Sequence, residues 1–108
     1  MSFDIHTVIA DMGSAVKNTV EDNWDEARSV TIQFLQNRKE RIALMAQLRI
    51  SGELSKEKFK RRLEDEKLIL EAELNALAVI SKAIAQNAAN AAIGVLEKAV
   101  KAATGTVL

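Results

Sequence analysis

No proline occurs in this chain, and only one short segment, Ser51-Gly52-Glu53-Leu54-Ser55, interrupts two otherwise helix-forming stretches of nearly equal length. Proline fixes φ and removes a backbone donor, so its absence lets long helices run, whereas glycine beside serine is where one stops. The pattern predicts an all-α fold in a single domain, residues 1–108, with a first arm at about 4–50, a turn at 51–55 and a second arm at about 56–104. At 1.5 Å rise per residue, each arm of roughly 47 residues is about 70 Å long. The expected shape is a long antiparallel helical hairpin, a rod too thin to bury much apolar surface by itself.

The periodicity of the apolar residues carries the helix assignment. In the first arm Ile5, Ile9, Met12, Val16, Val20, Ala27, Phe34, Ile42, Met45 and Leu48 share one helical face, at spacings close to the 3.6-residue period. Trp24, Val30 and Leu35 widen this stripe, and Arg38 interrupts it with an aliphatic stem expected to lie along the seam with its guanidinium in water. Asn23 followed by Trp24-Asp25-Glu26 resembles an N-cap with acids in a new first turn. The apolar phase nevertheless passes straight through this point, so a continuous arm is the expectation and a split near Glu21–Asn23 the alternative.

In the second arm Phe59, Leu63, Leu70, Leu74, Leu77, Ile84, Ala88, Ala91, Val95, Ala99 and Ala102 repeat the same face, with Leu68, Val79 and Ile80 beside it. A stripe this wide suits a helix with two or more neighbours. Homodimerisation into a four-helix bundle follows as the expectation, with Phe34, Leu63, Leu70, Leu74, Leu77, Ile84, Ala88 and Val95 as the oligomer core. From Ala83 to Ala92, and at Gly94, small residues recur three and four apart, a spacing that lets helices approach closely.

The turn has a mechanism of its own. Gly52 can take the left-handed conformation that ends a helix, and Ser55 can cap the next one through its hydroxyl. Leu54 and Phe59 have the N′ and N4 spacing of a hydrophobic staple that sets the angle of re-entry.

Charge is distributed unevenly although 15 basic residues balance 15 acidic ones. Residues 74–108 carry only Lys82, Glu97, Lys98 and Lys101, so the turn end is charged and the open end bland. Near the turn, Lys56, Lys58, Lys60, Arg61 and Arg62, with Arg38, Lys39, Arg41 and Arg49 on the other arm, could form a basic strip for phosphates. Glu40, Glu53, Glu57, Glu64, Asp65 and Glu66 interleave with it, and only Phe59 could stack on a base, so a solvated face is the preferred reading. Lysines at 56 and 58 sit where a helix prefers acids, the one hint that they serve something beyond solubility.

The residues for chemistry are sparse. The chain has no cysteine, one histidine (His6, with Asp4 and Asp11 nearby in sequence) and four scattered glycines that make no phosphate loop. Glu64, Asp65, Glu66, Glu71 and Glu73 lack the Glu-x-x-His pair of a di-metal bundle. No enzyme, cofactor or metal is therefore expected. The stretch from Leu74 to Leu96 is long enough to cross a bilayer, but Asn75, Ser81, Lys82, Gln86, Asn87 and Asn90 make it too polar, leaving interfacial association as the membrane alternative. With no basic, apolar leader at its start, cytoplasmic residence is the default expectation. The reading is a non-catalytic structural or protein-interaction module that self-associates; the alternatives are nucleic-acid binding at the turn end and peripheral membrane association through the second arm.

Overall fold

The computed structural model describes residues 3–105, among which the secondary structure is all helix and turn with no strand. Four helices follow one another, α1 (Ile5–Val20), α2 (Trp24–Ile50), α3 (Lys56–Asn75) and α4 (Lys82–Ala103), with one 3₁₀ turn, Glu21–Asn23, between the first two. Each expected arm is thus broken once. The 70 Å rod is replaced by a body of 42 × 24 × 22 Å.

The first break lies in a run of weak helix formers, Asn18, Thr19, Val20, Asp22 and Asn23. It is made by Glu21, whose backbone turns to φ 51° and ψ −112°. Asn23 precedes α2 but its side chain caps nothing there; Nδ2 instead donates to the Val79 carbonyl at 3.5 Å, tying this bend to the one between α3 and α4. That second bend, at 76–81, contains no glycine. Ser81 makes it, accepting from the Ile84 N–H at 3.1 Å, while Ile80 before it is buried. The Leu54-Ser55 device is the same: Ser55 Oγ accepts from the Lys58 N–H at 3.2 Å, and Leu54 and Phe59 are 5 % and 4 % exposed. Gly52 closes α2 at φ 86°, with the Leu54 N–H reaching back to the Leu48 carbonyl at 3.0 Å.

Short connections make sequential helices antiparallel neighbours. α1 packs on α2, α2 on α3 and α3 on α4, and α1 closes against α4 in the most extensive contact of all. One core fills the space between them: Val8, Met12, Val16 and Val20 from α1, Phe34, Ile42 and Met45 from α2, Leu63, Leu70 and Leu74 from α3, and Leu96 and Val100 from α4. The face of α4 is mostly alanine, with Ala85, Ala88, Ala89 and Ala92 all fully buried. Small side chains bring backbones close, so each residue makes many weak dispersion contacts despite its size.

The bends also correct the core. Up to Leu74 the second-arm stripe is buried as expected, but the 76–81 segment resets the helical phase. Leu77, Ile84 and Val95 are only half-buried, and Ala85, Ala89, Ala92 and Leu96 replace them inside. In α1, likewise, Val8 is in the core and Ile5 and Ile9 lie at its edge. No helix among the described residues is long and apolar enough to cross a membrane.

Candidate interaction site

Arg38 and Glu66 occupy core positions on facing helices, one helical turn from Phe34 and Ile42 on α2 and between Leu63 and Leu70 on α3. Glu66 is 4 % exposed, and both its oxygens accept from Arg38, through Nε and, at 2.9 Å, through Nη2. The guanidinium also lies over the Phe34 ring, 5.9 Å from its centroid. It is therefore not the solvated head expected from the sequence. The hydrogen bond to Glu66 raises the Arg38 pKa above its ordinary value against the opposing effect of burial.

Above this pair runs a groove of about 530 Å³ between α2 and α3, floored by Leu44, Met45, Leu48 and Ile69 and edged by Arg41, Arg62 and Asp65. Leu44 is 60 % exposed, the most exposed large apolar side chain among the described residues. Arg41 and Arg62 make no ion pair or hydrogen bond among those residues, so both guanidiniums are available. The size falls within the range of ordinary binding clefts, and the lining combines aliphatic side chains with arginine. A second hollow, about 410 Å³, lies between α1 and α2, where Ala10, Gly13 and Ser14 face Trp24, Ile32 and Leu35, with Lys17 and Arg28 at its rim.

The basic strip does not assemble on one face. Arg62 edges the α2–α3 groove, whereas Lys56 and Lys60 turn to the opposite side of α3. There they line a smaller hollow with Arg49, Phe59, Glu97, Val100, Lys101 and Thr104. Lys58 and Arg61 are exposed and line neither. The hollow holds the last turn of α4, so Lys56, Lys60 and Arg49 sit at the negative pole of that helix. That placement accounts for Lys56 in the first turn of α3, where the helix's own dipole disfavours it, but not for Lys58.

His6 and Asp11 are exposed, and Asp4 caps α1 by accepting from the His6 N–H at 3.0 Å and the Thr7 hydroxyl at 2.9 Å. Among the described residues, no three His, Cys, Asp or Glu side chains gather in a way that could hold a metal ion. Asn90 and Gly94, four apart in the small-residue stretch of α4, lie outside the core beside Lys60, Glu64 and Lys67. Comparison with protein families, curated proteins and solved structures finds no match to this chain.

Proposed function

We propose that the protein is a non-catalytic interaction module whose α2–α3 groove receives an acidic amphipathic helix of a partner protein. The observation that carries this reading is Leu44, exposed in a cleft that also holds two unpaired guanidiniums. A helix laid in the groove would place apolar residues at i, i+3 or i+4 and i+7 on Leu44, Leu48 and Ile69, with carboxylates on Arg41 and Arg62. The Arg38–Glu66 pair beneath keeps the two groove walls in register. The other expectations have less support: nucleic-acid binding needs a continuous strip, and the cations are divided between two faces. Homodimerisation was expected because the apolar stripe outran its partner, and α1 and α4 now cover that stripe within one chain.

The test is photocrosslinking from a benzophenone residue at position 44 in an extract of the native host. The captured segment is expected to be helical, amphipathic and acidic, and Arg41→Glu with Arg62→Glu to abolish capture. Capture that survives the charge reversals, or that yields segments with no apolar stripe, overturns the reading.

A further inference from the structure

We propose that the chain forms a helix-exchanged dimer in which Glu21 straightens and α1 leaves its own α4 to pack on the α4 of a second copy. This goes beyond the docking groove and is independent of it.

Glu21 is the only non-glycine residue at positive φ among the described residues. Its φ 51° and ψ −112° are close to the first central position of a type II′ turn, a conformation dominated by glycine. A glutamate there is strained, and strain of this kind persists only where surrounding contacts hold it. Most of its neighbours are already helical: the Glu21 N–H still donates to the Lys17 carbonyl, Val20 has φ −83° and ψ −17° and Trp24 φ −61° and ψ −36°, while Asn23, at φ −93° and ψ 12°, departs modestly. Rotation at Glu21, with a smaller adjustment at Asn23, therefore separates the bent chain from a straight helix over residues 5–50. No proline or glycine in the joint opposes it.

The straight form is also the one the apolar pattern favours. Met12, Val16, Val20 and Ala27 are all buried and remain in one phase across the joint, so straightening extends a coherent seam rather than scrambling it. It takes α1 off α4 and uncovers the alanine face there. That face is shaped to another helix at close range, and a second copy supplies the identical helix, whose own α4 is uncovered in the same way. Every buried contact of the bent chain outside the joint is then remade between copies, and the strain at Glu21 is released. Short links under strain are the usual site of such exchange. The opposing contact is the Asn23 to Val79 hydrogen bond, exposed and long at 3.5 Å.

The experiment follows the full chain by size exclusion with light scattering after incubation at millimolar concentration. Dimer is expected to form, and to persist on dilution because reversal requires α1 to detach. Glu21→Gly, which favours the bend, is expected to weaken dimerisation by about tenfold or more, and Asn23→Ala to strengthen it by a similar factor. The chain has no cysteine of its own, and Thr7 and Ala103 line one hollow at the α1–α4 contact. Equal amounts of Thr7→Cys chain and a size-tagged Ala103→Cys chain, mixed, incubated and oxidised, should therefore give a disulfide between copies. A monomer at all concentrations for both the wild type and Asn23→Ala overturns the proposal. So does a dimer that ignores Glu21→Gly or forms without the cross-copy disulfide, since that dimer is joined at a surface.

Discussion

Arg38→Met tests whether the buried ion pair is a structural necessity or a replaceable contact. Removing the cation strands the Glu66 carboxylate, 4 % exposed, and an uncompensated buried charge costs about 3–5 kcal/mol. Glu66→Leu is not the mirror image. Arg38 keeps 23 % of its side chain exposed, so its guanidinium can move to solvent over Phe34, and the loss is about 1–2 kcal/mol. The double variant Arg38→Met with Glu66→Leu has no charge to strand and fills the same volume with aliphatic groups. Its stability should return to within about 1 kcal/mol of the wild type. Urea denaturation at pH 7, analysed with a common slope, reads all four corners of this cycle. Equal losses for the two single variants, or additive losses in the double, would refute the argument, because they would mean that Glu66 reaches water without Arg38.

The remaining predictions concern packing and capping. Leu54→Ala and Phe59→Ala, each removing a buried member of the staple, should cost about 2–4 kcal/mol, read as a lower urea midpoint. Ala92→Leu, introduced where α4 is fully buried, should destabilise by about 1–3 kcal/mol through overpacking, whereas Ala83→Leu on the exposed side should leave melting unchanged. Asp4→Ala should lower the melting temperature at pH 7. The Thr7 hydroxyl first, and then the His6 N–H, hold the Asp4 carboxyl below its ordinary value of 3.8. The stability from the cap is therefore present above that value and lost as pH falls through the lower folded one, and the gap between the wild type and Asp4→Ala should close there.

Periodicity made the helices, the 51–55 turn, its staple and much of the core readable in advance. What it could not supply was where an in-phase stripe bends. At Glu21 the signal was local and weak, a few poor helix formers set against ten apolar positions in phase, and a tertiary contact decided between them. The second bend was marked: Ile80-Ser81 repeats the apolar-serine pair of Leu54-Ser55, but without a glycine the repeat is easily read as continuous helix. The site was legible in one further respect. Each stripe carries a single charge at a core position, opposite in sign, and Arg38 and Glu66 stand 14 residues on either side of Gly52. A hairpin with its tip there has to bring them together. The division of the basic cluster follows from spacing within α3, since Lys56 and Lys60 share a face and Arg62, two residues on, does not; that α4 ends beside the first two is what no spacing within α3 reveals.

The closure of α1 against α4 joins the first of these four helices to the fourth, so one is synthesised well before the other. At about 5–20 residues per second, the ribosome takes roughly 4–17 s to extend the chain from residue 20 to 103. Through that interval Val8, Met12, Val16 and Val20 have no α4 to cover them, although α2 and α3 can already pair across their turn. A nascent chain therefore passes through a stage with one unsatisfied helix. On a crowded polysome the nearest complementary α4 belongs to the chain ahead.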